Sequence, residues 1–164
     1  MEKTRVLSVL VENHAGVLSR VAGLFTRRAY NIDSLSVGET ENPDISRMTI
    51  VVHADDATLE QIQNQLAKLI NVFDIVELHC DNAVLREHVL VSVGSQNRSS
   101  FMEITNIFRA KIIDISEDSL MAELTGSPSK ISAFVNMIKP FGIKSLVRTG
   151  LTGLERGSRI CNSD

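Results

Sequence analysis

One order of hydrophobic patterns, strand, helix, strand, strand, helix, strand, occurs twice along this chain, and that repetition constrains the fold more than any single motif. In the first occurrence, residues 6–11 form a short aliphatic run that predicts a buried strand, followed by the polar turn Glu12-Asn13-His14-Ala15-Gly16. Val17, Leu18, Val21, Ala22, Leu24 and Phe25 then fall at helical spacing, with Ser19, Arg20, Thr26, Arg27 and Arg28 on the other face. Residues 32–37 and 48–53 predict two strands joined by a polar connection that contains Pro43. Asp55 or Asp56 can cap a helix carrying Leu59, Ile62, Leu66 and Leu69, and residues 72–78 predict the fourth strand.

The second occurrence begins with a strand at 89–93 and a helix with Met102, Ile104, Ile107 and Phe108 on its apolar face. Residues 112–115 and 120–124 predict strands around the turn Glu117-Asp118-Ser119. Ser127 caps a helix with Pro128 in its first position, and Ile131, Phe134, Val135 and Ile138 form its apolar face. Pro140 and Gly142 stop it before a strand at 143–147. The expectation is an α+β chain of two ferredoxin-like βαββαβ units, residues 1–79 and 84–164, with the polar stretch Cys80-Asp81-Asn82-Ala83 near the boundary. Units this small bury a modest share of their surface, so pairing between copies is expected.

Composition removes several classes of function. With 17 Lys+Arg against 20 Asp+Glu, the net charge of −3 provides no general attraction to nucleic acid or an anionic membrane. Cys80 and Cys161 are too few for a disulfide framework or a four-thiolate zinc site, so a reduced, cytoplasmic chain is expected. No apolar run approaches the ~20 residues of a membrane helix, and the N-terminus leads directly into a strand pattern without a signal peptide. Trp is absent and Tyr30 is the only Tyr, which disfavours an aromatic cage or a base-stacking platform.

Catalytic patterns are poor. There is no phosphate-loop or dinucleotide fingerprint, and Gly150, Gly153 and Gly157 have the wrong spacing for one. His79, Cys80, Asp81 and His88 do not make a metal cluster on spacing, because neighbours on a strand face opposite ways and no second pair completes four ligands. His14 and His53 are isolated in sequence, and Arg27, Arg28, Arg148, Arg156 and Arg159 are too sparse for a nucleic-acid stripe.

The loop from Glu12 to Leu18 is different. It joins a buried strand to a helix start, where free backbone N–H groups and the helix dipole favour an anion. Gly16 allows close approach to the backbone, and the Asn13 amide both donates and accepts. Tyr30-Asn31-Ile32 adds a second amide beside aliphatic groups. An aliphatic amino acid needs this mixture of donors, acceptors and apolar wall. The alternative is structural: Asn13 as helix cap and Gly16 as turn residue.

Several stretches carry a family resemblance. The run from Leu7 through Glu12-Asn13-His14-Ala15-Gly16-Val17-Leu18 to Phe25, then Tyr30-Asn31-Ile32-Asp33, closely resembles the regulatory small subunits of acetohydroxyacid (acetolactate) synthase. The likeness continues in Ser46-Arg47-Met48-Thr49-Ile50, Arg86-Glu87, Ile107-Phe108-Arg109-Ala110-Lys111-Ile112 and Gly150-Leu151-Thr152-Gly153-Leu154. Ala110 stands where family members often have Gly.

The resemblance implies an N-terminal ACT domain that binds an amino-acid effector and forms a homodimer. It also implies a C-terminal unit that contacts the catalytic large subunit. Such a chain has no active site of its own. It activates the catalytic subunit and confers feedback inhibition by valine, in some members also by isoleucine or leucine. The effector lies between two ACT domains, so Asn13, Ala15, Gly16, Val17 and Leu18 would face Asn31 and Ile32 of a second copy. Phe108, Arg109 and Ile112 are candidates for contact with the catalytic subunit, with ordinary core and surface roles as the alternative. Thiamine diphosphate, magnesium and FAD are expected on the catalytic partner and no cofactor or metal on this chain. The other readings are a free-standing ACT-type sensor acting on a different enzyme or regulator, and a small active site in the second unit. The missing acid, base and nucleophile set argues against the latter.

Overall fold

In the computed structural model, which describes residues 2–157, alternation along β1 (Lys3–Glu12) turns Leu7, Val9 and Val11 onto one face of a sheet. Helix α1 (Val17–Arg27) covers that face with Val17, Val21, Leu24 and Phe25, an i, i+4, i+7, i+8 stripe. Strands β2 (Ser34–Glu39) and β3 (Ile45–Ala54) follow, then α2 (Asp56–Leu66) and β4 (Val72–Glu77). The antiparallel order is β2-β3-β1-β4, and the registers Leu7↔Ile50 and Val9↔Met48 place these side chains together against both helices. Asp55 caps α2 by accepting from the Thr58 N–H at 2.8 Å. Leu69, predicted inside this helix, lies beyond its end but still packs on the core.

The second unit repeats the plan. Strand β5 (Ala83–Gly94) is followed by α3 (Arg98–Phe108), β6 (Lys111–Ile115), β7 (Ser119–Gly126), α4 (Pro128–Ile138), a 3-10 turn (Lys139–Phe141) and β8 (Ile143–Arg148), in the order β6-β7-β5-β8. Ser127 accepts from the Lys130 N–H with Pro128 in the first turn, and Gly142 (φ 74°) ends the helical segment, as the sequence predicts.

The apolar face of α3 is phased differently from the expectation. Phe101 and Thr105 are buried, with Ile104 and Phe108 packed beside them, whereas Met102 and Ile107 are exposed, Ile107 by 77%. At about 100° per residue Met102 and Ile107 flank this stripe on opposite sides, outside the core.

The described residues divide into one unit running to Val84 and resuming at Leu151, and another of Leu85–Gly150. The expectation put residues 84–164 in one unit, whereas the segment from Leu151, including β9 (Thr152–Glu155), groups with the first unit. Two hydrogen bonds join this segment to that unit: the Leu151 N–H donates to the Ser34 side chain at Oγ, 3.1 Å away, and the Arg156 N–H to the Asn82 carbonyl at 2.8 Å. Arg159 and Cys161 lie outside the described residues. No helix among the described residues is long and apolar enough to cross a membrane.

Candidate functional site

The loop leaving β1 is pinned from its own hairpin. The Asn13 N–H donates to the Asp44 carbonyl at 2.7 Å, and Asn13 Nδ2 donates to the Pro43 carbonyl at 2.8 Å and Glu39 Oε1 at 3.2 Å. Asn13 is therefore not the cap of α1. That position belongs to Gly16, which is left-handed (φ 89°) and has no side chain to cap the helix. There is no acidic residue in the first turn either. Helix geometry leaves the Leu18 and Ser19 N–H groups without intrahelical acceptors, while Val17 and Arg20 donate to the His14 and Gly16 carbonyls.

The sequence-predicted residues divide by orientation. Asn13, Ala15 and Gly16 are exposed, and Leu18 projects outward with 45% exposure. The Val17 side chain belongs to the core, so only its backbone reaches the loop surface. Asn31 donates to Asp33 Oδ1 at 2.6 Å, and Ile32 packs partly into the core. Glu12 pairs with Ile45 at one end of β3, whereas the Asp33 N–H meets the Val51 carbonyl six residues further along. At ~3.3 Å per residue the separation is about 20 Å, so one copy does not bring the Asn13 loop and Asn31 together.

Beneath the loop is a network that sequence reading missed. Glu12 Oε2 lies 2.6 Å from His14 Nε2 and accepts from Asn71 Nδ2. Asn71 Oδ1 accepts from Arg20 Nη1 at 2.6 Å, and the Asn71 carbonyl accepts the Glu12 N–H at 2.9 Å. His14 Nδ1 also approaches the Ala15 carbonyl at 3.1 Å. Hydrogen bonds from Asn71 and then His14 hold the Glu12 carboxyl below its ordinary range. The Ala15 carbonyl and then Glu12 raise the His14 imidazole above its own. His14, isolated in sequence, is thus tied to β1 and to the segment before β4; only its nearness to Glu12 was legible.

The remaining candidates are dispersed. His79 faces Glu77 at 3.5 Å, His88 faces Thr125 at 2.9 Å and Cys80 is exposed; among the described residues no three His, Cys, Asp or Glu side chains converge for a metal. In the second unit Phe108 packs on Phe134 with ring centroids 5.4 Å apart, and Ile112 packs partly against the same core. Arg109, left-handed at φ 56°, is exposed.

Chemically, the loop presents backbone donors suited to a carboxylate, a fixed amide and an outward leucine. The family described as "AHAS small subunit-like ACT domain" matches residues 7–74, and that described as "Small subunit of acetolactate synthase" matches residues 86–157. The acetolactate synthase small subunit of Mycolicibacterium smegmatis is 49% identical over 158 residues, 95% of this chain and 93% of that one. Its Mycobacterium bovis counterpart is 51% identical over 159 residues, 96% and 95% of the two chains. The crystal structure of the Thermotoga maritima small subunit superposes with a TM-score of 0.89 at 38% identity, covering 95% of this chain and 99% of that one.

Proposed function

The chain belongs to the acetolactate synthase small-subunit family, and on that premise we propose that it is the regulatory partner of a catalytic large subunit, raising that enzyme's activity and making it sensitive to valine. The open helix start at Gly16 carries this reading. Backbone N–H groups there receive the effector carboxylate. Asn13 commits its amide hydrogens to Glu39 and Pro43, which leaves Oδ1 as an acceptor for the α-ammonium group. Leu18 supplies apolar contact for a branched side chain.

The ~20 Å along β3 between this loop and the start of β2 supports a pocket shared by two ACT domains, with Asn31 and Ile32 contributed by a second copy. Valine then shifts the assembly toward its less active state by the difference in its affinity for the two states, a coupling of typically ~1–3 kcal/mol. Thiamine diphosphate, magnesium and FAD are assigned to the catalytic partner, which this chain would meet in the cytoplasm.

The test is Gly16→Asp, assayed with the catalytic subunit with and without valine. A carboxylate at this position opposes that of the effector, and Asp is among the residues that tolerate a left-handed backbone. Activation should persist and valine inhibition should vanish. Full valine sensitivity in the variant would remove the loop from consideration.

A further inference from the structure

The first sheet carries a second candidate site on the face turned away from its helices. The registers Ser8↔Thr49, Ser36↔Thr49 and Gly38↔Arg47 gather small and polar residues there, while Leu7, Val9, Met48 and Ile50 take the core face. A cavity of about 290 Å³ opens among Ser36, Gly38, Arg47 and Thr49 of the sheet and Thr152 and Gly153 of the returning C-terminal segment. All belong to the first unit.

Two of these groups keep hydrogen-bonding capacity that the described residues do not use. Thr49 is 3% exposed overall, and its hydroxyl, which is not among the buried unpartnered polar atoms, lines the cavity without a hydrogen bond to another described residue. Arg47 donates to Ser8 Oγ at 2.7 Å, and no carboxylate pairs with it among the described residues. A half-buried guanidinium retains several donors in a planar fork that suits a carboxylate. A Cβ added at Gly38 would meet nothing within 4 Å, so glycine keeps that wall of the cavity open.

We propose that this cavity is a binding site for a small carboxylate, taken in two-point fashion by Arg47 with the Thr49 hydroxyl as a further donor. One guanidinium balances one carboxylate but not a phosphate dianion, and Glu39, which also lines the cavity, opposes a second negative charge. The volume lies just below the ordinary range for drug-sized ligands, which fits a compact organic acid. The cavity takes none of its lining from the Asn13–Leu18 loop, although Glu39 at its edge also accepts from Asn13 Nδ2.

The full chain, isotopically labelled, is titrated with sodium 2-oxoisovalerate and separately with valine while amide resonances are followed. Saturable shifts at Gly38, Thr49 and Gly153 are expected with at least one probe; a response to the oxo acid assigns an oxo-acid source, and a response to valine an amino-acid source. Affinity should fall roughly tenfold or more in Arg47→Gln, because a charge-assisted pair is lost, and likewise in Gly38→Val, which fills the cavity from directly across the strand pair while keeping the Arg47 charge. Gly16→Asp should leave these shifts in place, which separates this site from the effector loop. No saturable shift with either probe, equal shifts with sodium chloride, or undiminished binding in both cavity variants would overturn the proposal.

Discussion

Arg20 of α1 donates to the side-chain oxygen of Asn71 at 2.6 Å across 51 positions of sequence. Asn71 passes the contact on to Glu12, so the helix that follows the Asn13–Leu18 loop is tied to the strand that precedes it. Replacing Asn71 with Ala removes a buried group that serves both partners. The expected loss is about 1–3 kcal/mol in denaturant unfolding, accompanied by weaker valine binding in calorimetry. Unchanged binding alongside lowered stability would mean that the network supports the fold and not the loop.

Gly16→Ala isolates backbone conformation from ligand electrostatics. A Cβ there meets nothing within 4 Å, so the cost arises from the left-handed backbone and should be about 1–2 kcal/mol. Thermal or denaturant unfolding reads this directly, and a neutral substitution would show that the loop relaxes to another conformation.

Protonation of His14 should be legible in solution. Both ring nitrogens face oxygen acceptors, Ala15 O and Glu12 Oε2, so the imidazolium satisfies both. The raised His14 pKa makes its contribution complete below the ordinary imidazole range and lost as pH rises through the folded value. The lowered Glu12 pKa makes that contribution present above the ordinary carboxyl range and lost as pH falls through the folded value. The ion pair is therefore strongest between the two. Imidazole titration by NMR should place His14 above a free histidine, and Glu12→Gln should lower it part of the way, because the Ala15 contact remains.

Arg148 meets the buried carboxylate of Glu87 through both Nε and Nη2, at 2.6 and 2.7 Å, and this pairing raises the Arg148 pKa. Arg148→Ala leaves Glu87 buried without its counterion. A loss of about 1–2 kcal/mol is expected, below that of a fully buried pair because the Arg148 side chain is 38% exposed. The Glu87→Gln, Arg148→Ala double variant should recover part of it; no recovery would mean that Arg148 acts by packing alone.

Much of the fold could be read from neighbours in sequence. The caps at Asp55 and Ser127, the stop at Gly142 and the core stripe of α1 depend on residues within one or two turns of each other. The α3 phase was harder, because Met102 and Ile107 are apolar yet lie outside the buried stripe, and hydrophobicity alone does not select among several possible faces. The Asn13–Leu18 loop was marked by its composition, but its capping was not: Asn13 is drawn away to Pro43 and Glu39 by a hairpin whose position the loop does not encode.

The amino-acid sequence determined the two βαββαβ units and the glycine at the start of α1, because periodicity and turn chemistry are local properties of a chain. Only the tertiary structure decided that Glu12, His14, Arg20 and Asn71 form one network, that the segment from Leu151 returns to the first unit, and that Arg47 faces a cavity. Those outcomes depend on strand register and on contacts between distant positions, and a one-residue slip in register would turn strand residues such as Glu12 and Arg47 to the opposite face.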